Sequence, residues 1–279
     1  MNPLPTPTPP AEATPRFGLI IIGDEILSGK REDKHLPKVI ALLKTRGLAL
    51  DYAEYVGDSP ERITATLTRA FASGDIVFST GGIGATPDDH TRQCAAKALG
   101  LELALHPEAA ELIRQRMQDL AKEQGSVFEP DHPDNLHRLN MAMFPVGAQL
   151  IPNPYNRVAG FSCGSVHFVP GFPVMAWPMI EWVLDTHYPQ LHQIAAWIEQ
   201  SVIVFGAMEA TLTPLMQDIE RRHVGVKVFS LPSVDHPAYG RHIELGVKGE
   251  PLRVSLAFAD LLDGLHHLNA KLGPELVQK

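Results

Sequence analysis

The chain has 279 residues, enough for one large domain or for a medium domain with a small one. Hydrophobic residues make up 44% and charged residues 20%, the composition of a globular protein rather than a fibrous or disordered one. The formal net charge of -8 argues against a nucleic-acid partner, because affinity for a phosphate backbone rests on many Lys and Arg contacts, but a small anionic ligand remains open if cations are supplied locally.

The first fifteen residues, MNPLPTPTPPAEATP, lack a basic segment and an apolar core, so they read as a disordered, polyproline-like tail rather than a signal peptide. Residues 17–22 (FGLIII) form a continuous apolar run expected of a buried strand, and the run stops at Gly23, Asp24 and Glu25. In an open α/β sheet the carboxyl end of a strand is the ligand-facing edge. A solvated turn would equally account for the acidic pair. Lys30 and Arg31 follow, as phosphate contacts or as an ordinary surface pair, and residues 36–44 have helical periodicity with Gly47 as a stop. A second strand over 48–56 ends at Gly57 and Asp58, and Ser59-Pro60 starts a helix to about residue 71.

Residues 75–100 carry most of the information. A buried strand over 75–79 runs into Gly81, Gly82 and Gly84, which free the backbone to take positive φ and to approach a ligand closely. Thr86-Pro87 reads as the start of a helix over 88–99, with Asp89 three residues beyond the threonine as in a capping box. Strand, glycine turn and helix start together make an anion site. Asp88 and Asp89 then have two readings. As cap and dipole complement, each contributes up to about 1 kcal/mol. As ligand-facing groups they need a divalent cation, because like charges about 4 Å apart repel by about 4 kcal/mol at an effective dielectric near 20. Asp24, Asp58 and Asp88 all occupy corners on one edge of the expected sheet.

A short strand over 101–105 and a long helix over 107–124 come next, then a loop over 125–133 whose Glu129, Asp131 and His132 lack a metal-ligand spacing. A short helix from Asp134 carries Arg138, a short strand covers 149–152, and residues 158–161 pair with 166–169 across a Cys-Gly-Ser turn. Pro170, Gly171 and Pro173 lead into a helix over 173–185. The pattern changes after Tyr188-Pro189. Strands over 197–205, 224–229 and 241–248 alternate with helices over 211–222 and 252–268, the last with a strand at its start, which suggests a small α+β sandwich over 189–279. Gly206 and Glu209 resemble Gly23 and Glu25, but no glycine loop follows, so no second site is expected.

Cys94 and Cys163 make neither a disulfide framework nor a metal set, and no apolar run approaches the roughly 18 residues needed to span a bilayer. A cytoplasmic protein without membrane contact is expected. The thirteen histidines contain no HExxH or HxH signature.

The order GDEIL (23–27), VGDSPERI (56–63), GGIGATPDDHT (81–91), NLHRLNMAMFPVGAQLIPNP (135–154) and VPGFP (169–173) resembles the molybdopterin-binding domain superfamily, and within it the CinA-type branch. The resemblance covers residues 17 to about 185, with 189–279 similar to the small subdomain that follows in CinA-type proteins; no stretch resembles their deamidase domain. It implies a MoaB/Mog-like fold over 16–188, a three-layer α/β/α sandwich with a mostly parallel sheet, plus the small C-terminal α+β subdomain. For the CinA branch it implies metal-dependent ADP-ribose pyrophosphatase activity with Mg, Mn or Co, and for the wider superfamily binding of molybdopterin. By position, Asp88 and Asp89 become the expected catalytic residues, and Asp24, Glu25 and Asp88 the metal ligands. Gly23, Asp58, Gly81, Gly82, Gly84, Thr91, Arg138, Gly171 and Pro173 become the expected contacts to a nucleotide or pterin, and a homo-oligomer is compatible with all of this. Three positions depart from the family pattern: Ala85 replaces a proline, the asparagine usual after GDE is replaced around His35, and Val174-Met175 replace serine-glutamate.

Overall fold

The computed structural model describes residues 16–192 and 198–278; the proline-rich tail over 1–15 and Trp197, expected to open a strand, lie outside them. The chain divides into two compact units, with the boundary after His192.

The first unit begins with β1 (Phe17–Ile22), α1 (Asp24–Leu27), α2 (His35–Lys44), β2 (Leu50–Val56), α3 (Pro60–Ser73) and β3 (Ile76–Thr80). It continues through α4 (Thr91–Leu99), β4 (Leu103–Leu105), α5 (Pro107–Glu123), α6 (Pro133–Arg138), β5 (Met143–Pro145), β6 (Gln149–Ile151), β7 (Gly160–Cys163), β8 (Val166–Val169) and α7 (Pro173–His187). Six strands form one sheet in the order β2-β1-β3-β8-β7-β6. The pairs β1·β2, β1·β3 and β3·β8 are parallel, while the hairpin-linked β7·β8 and β6·β7 are antiparallel. The expected strand over 101–105 forms, but as β4 it pairs with β5 in a separate two-stranded ribbon.

The three layers follow from the apolar pattern. Every residue of β1 and β3 is buried, because helices cover both faces of the sheet. Ile20, Ile22, Val77 and Phe168 pack on one side with Ile63 and Leu67 of α3 and Ile113 and Met117 of α5. Leu19, Ile21 and Phe78 pack on the other with Val39 and Leu43 of α2 and Met179, Ile180 and Val183 of α7. A polar chain crosses the second layer: Ser162 Oγ lies 2.8 Å from His167 Nδ1, and His167 Nε2 lies 2.7 Å from the Tyr188 hydroxyl. Burial, with a smaller contribution from His187, pushes the His167 imidazole down to about 3, so it is neutral at ordinary pH.

The second unit contains β9 (Ile198–Phe205), α8 (Glu209–Arg222), β10 (Lys227–His236), β11 (Gly240–Gly249), α9 (Pro251–His267) and β12 (Lys271–Gln278). Its antiparallel sheet runs β10-β11-β9-β12. Leu212 and Ile219 of α8 and Val254, Phe258 and Leu261 of α9 pack on Val202, Val204 and Leu245. Two expectations need correction here. No strand opens the last helix, since α9 is helical from Pro251, the residue type that fits a first helical turn. The edge strand β12 was hidden because Gly273 and Pro274 interrupt its alternation, and the pairing with β9 slips there, between Leu272 and Glu275.

Candidate functional site

The parallel strands β1, β2, β3 and β8 all release their chain at the same edge of the sheet, and each exit carries one of the expected motifs. The β1 exit is tied to that of β2 by Gly23 N–H donating to Val56 C=O at 3.0 Å. The β3 exit is tied to that of β8 by Gly81 N–H donating to Val169 C=O at 3.1 Å. Gly81 needs to be glycine, because its φ is +97° and a Cβ would collide with the carbonyl oxygen of Ile22. Gly82, with φ +67°, would put a Cβ into the Thr91 hydroxyl. The amides of Gly82, Ile83 and Gly84 have no acceptor among the described residues, which leaves a short run of free N–H donors at the strand ends.

The helix expected from residue 88 starts instead at Thr91, so Asp88 and Asp89 lie in the loop before it. Local side-chain bonding explains the delay. Asp89 Oδ2 accepts from Thr86 N–H at 2.8 Å and from the Thr86 hydroxyl at 2.6 Å, while Asp89 N–H donates to Thr86 C=O at 3.0 Å. The capping-box residues do pair, but they close a turn that competes with helix. Thr91 then anchors the helix to the glycine loop: its hydroxyl donates to Gly81 C=O at 3.0 Å and its N–H to Gly82 C=O at 3.0 Å.

The acidic corners are brought together. Asp24 N–H donates to Asp58 Oδ2 at 2.9 Å, and Asp58 N–H returns a bond to Asp24 Oδ1 at 3.2 Å. Desolvation pushes the Asp58 carboxyl above its usual range; the Asp24 amide opposes this, and the charges of Asp24, Glu25 and Asp88 add to it. The Thr86 side chain is the main influence holding the Asp88 carboxyl below its usual range. That hydroxyl has one proton, and the 2.6 Å separation gives it to Asp89, so Asp88 gains less than a full hydrogen bond. Among the described residues no three Asp, Glu, His or Cys side chains close on a common point as a ready metal cage.

A recess of about 280 Å³ opens beside Glu25, lined on the other side by Gly171, Phe172 and Pro173. Arg31 lies at its mouth with Cζ 5.8 Å from the centroid of the Phe172 ring. His35, buried at 4% exposure, donates from Nε2 to Gly171 C=O at 2.9 Å, and its Nδ1 has no partner among the described residues. Arg138 is not brought to this edge: it lines a separate apolar recess of about 250 Å³ with Met117, Leu120, Met141 and Tyr155, because α6 turns its last residue toward α5. Its neighbour His137 reaches the glycine loop instead, with Nε2 2.6 Å from Ala85 C=O.

Arg92 was also not foreseen. It is 3% exposed, donates from Nη1 to Ile83 C=O, and places a cation behind the glycine loop near Asp89; burial lowers its pKa and Asp89 opposes that. An arginine one residue into a helix reads as surface, and only burial distinguishes it. For Phe172, the signal available was a bulky aromatic between the glycine and proline of PGFP.

The fold and this edge define a class. Residues 18–193 match the family described as a probable molybdopterin binding domain, and the chain belongs to it. Within the family it is a CinA-type member. It is 33% identical over 208 residues to a CinA-like protein of Geobacter sp. (strain M21), covering 72% of this chain and 47% of that one. It is 29% identical over 267 residues to a CinA-like protein of Geobacter metallireducens, covering 94% and 61%. The crystal structure of CinA from Thermoplasma acidophilum, described as of unknown function, aligns with a TM-score of 0.52 at 25% identity, over 61% of this chain and 97% of that one. The chain spans about half the length of the Geobacter sp. relative. No helix among the described residues is long and apolar enough to cross a membrane.

Proposed function

We propose that this protein binds a phosphate-bearing nucleotide at the strand-end edge and hydrolyses its pyrophosphate bond, with ADP-ribose or a similar dinucleotide as substrate. The observation that carries the reading is the run of free amides at Gly82, Ile83 and Gly84, set among carboxylates that repel one another. Those amides fit phosphate oxygens, which would otherwise avoid Asp24, Glu25, Asp58 and Asp88.

The donor set fits a hard divalent ion that arrives with the substrate, since such ions use one or two carboxylates plus phosphate oxygens rather than a complete protein cage. Held by Asp24, Glu25 and Asp88, an ion of the Mg, Mn or Co type would neutralise phosphate charge and acidify a water. Asp88, kept below the usual carboxylate range, is ionised at neutral pH and suits the role of ligand. Asp89 keeps Oδ1 free of protein hydrogen bonds and can accept the proton of the attacking water, while Thr86 and Thr91 fix the loop around it. The glycine-loop amides would stabilise charge on the phosphate as it develops.

A second reading, a molybdopterin- or nucleotide-binding protein without turnover, is favoured by one position. Met175 stands where the family has glutamate, and its Sδ accepts from Asn156 Nδ2 at 3.3 Å. The purified protein should convert ADP-ribose to AMP and ribose 5-phosphate with Mg, Mn or Co, and should lose this on adding EDTA. Asp88→Asn should weaken metal-dependent nucleotide binding and leave the fold intact. Binding that is insensitive to EDTA and equal in both proteins, with no product from ADP-ribose, FAD, NAD or diadenosine phosphates, would overturn hydrolysis in favour of the second reading.

A further inference from the structure

An exposed phenylalanine needs no explanation by itself, since single surface apolar residues are ordinary. Phe172 is different in where it stands and in what covers it. It is 56% exposed at the mouth of the recess beside Glu25, and the planar guanidinium of Arg31 lies over its ring with Cζ 5.8 Å from the centroid. At that distance the guanidinium makes a loose cation-π contact with the ring, which leaves the ring face open to a planar group that approaches more closely.

The loop that presents Phe172 is held from both sides. His35 Nε2 donates to Gly171 C=O from a buried position, and a Cβ added at Gly171 would stand 3.4 Å from Gly81 Cα. The aromatic ring therefore sits one residue away from backbone in contact with the glycine loop. The recess behind it has apolar walls from Ile21, Ile22 and Ile26, acidic groups from Glu25 and Glu32 and a cation from Lys34. At about 280 Å³ it falls just under the roughly 300–1,000 Å³ of sites that enclose a whole drug-sized ligand, so it suits one ring system.

We propose that Phe172 and Arg31 are the specificity residues for the ring of the ligand: Phe172 stacks a planar heteroaromatic, Arg31 swings out to cover it, and Glu32 accepts from an exocyclic amino group. This rests on the reading that the glycine loop binds phosphate, and it narrows the ligand to an amino-bearing ring such as adenine or a pterin, joined to phosphate. A carboxylate only accepts hydrogen bonds, and uracil has no exocyclic amino group to offer Glu32, so adenine or a pterin is favoured over it.

The test is calorimetric titration of the full chain, with Mg present, against ADP, UDP, a pterin phosphate and inorganic pyrophosphate. Phe172→Ala should weaken ADP or pterin phosphate by about 5- to 150-fold, the range for loss of one stacked base, and leave pyrophosphate unchanged. Phe172→Trp should retain affinity and show fluorescence quenching with the ring-bearing ligand but not with pyrophosphate. The stronger of ADP and pterin phosphate identifies the ring. Equal loss for ADP and pyrophosphate in Phe172→Ala would mean the ring only shapes the loop, and unchanged affinity would mean it does not stack; either overturns the proposal while leaving the phosphate site standing. Equal binding of ADP and UDP overturns the role of Glu32. A wild-type protein that fails to bind even pyrophosphate removes the phosphate site itself, and this proposal with it.

Discussion

Both units of this chain are sheets braced by helices, yet among the described residues only the first gathers the candidate site, and strand direction accounts for the difference. In the first unit β1, β2, β3 and β8 run parallel, so their exits, with Asp24, Asp58, the glycine loop and Gly171, fall on one edge. In the second unit neighbouring strands are antiparallel, so the exits of strands adjacent in the sheet fall on opposite edges. Gly206, which follows β9 with φ +68°, shows what a strand-end glycine does without converging partners: a Cβ there would meet nothing within 4 Å. The same residue type is a turn device in one unit and part of a constructed loop in the other.

The comparison can be broken most strongly through the cores. Phe168→Ala, which removes a fully buried ring from the first unit, should cost about 3–5 kcal/mol, and Leu261→Ala in the second about 2–5 kcal/mol. If the units are separately cored, each variant shifts its own transition in urea unfolding monitored by hydrogen exchange, and a single transition lowered equally by both would argue against that division.

Next comes the pair of strand-end glycines. Gly82→Ala combines a disfavoured positive φ with a collision at Thr91, so it should cost about 2–3 kcal/mol and abolish pyrophosphate binding, whereas Gly206→Ala pays only the backbone cost, about 1 kcal/mol, and leaves binding unchanged. Thermal melts and titrations of the two variants side by side check this. Equal effects would remove the distinction between the two strand ends.

The third prediction concerns His167, whose imidazole is held neutral in the fold down to about 3 against an ordinary value of 6.5. Because the unfolded chain takes up the proton first, stability is fully present above about pH 6.5 and is lost as pH falls toward 3, by up to about 1.4 kcal/mol per pH unit. Phe in place of His167 should flatten that part of the stability-pH curve for the first unit and leave the second unit's curve as it was.

The smallest effect is expected at the acidic edge. Asp58 is raised in the fold, so its ionisation opposes folding above its folded pKa, and the penalty fades as pH falls. Asp58→Asn keeps an acceptor for the Asp24 amide and should raise the metal-free melting temperature on the order of 1 °C at neutral pH, little because the group is only partly buried. The gain should vanish when Mg and a nucleotide are bound, and a loss of stability without metal would show that the carboxylates do not strain one another.

By itself the sequence determined the buried strands, because runs such as FGLIII leave no polar face, and it determined the turn and helix starts at Gly81-Gly82 and Ser59-Pro60, where backbone conformation restricts residue choice. It also placed Asp24 and Asp58 just past the ends of strands, whereas Asp88, read into a first helical turn, lies in the loop before Thr91. Tertiary structure decided what those local signals left open. Asp89 could cap a helix or close a turn on Thr86, and the anchoring of Thr91 to Gly81 and Gly82 chose the turn. Arg138 and His137 are adjacent in sequence, and only the packing of α6 sends one to a distant recess and the other to Ala85. His35, Arg92 and Phe172 owe their roles to contacts with residues 136, 9 and 141 positions away, at Gly171, Ile83 and Arg31. Two of those contacts close across the sheet, and no local pattern encodes a contact that exists only once the strands are side by side.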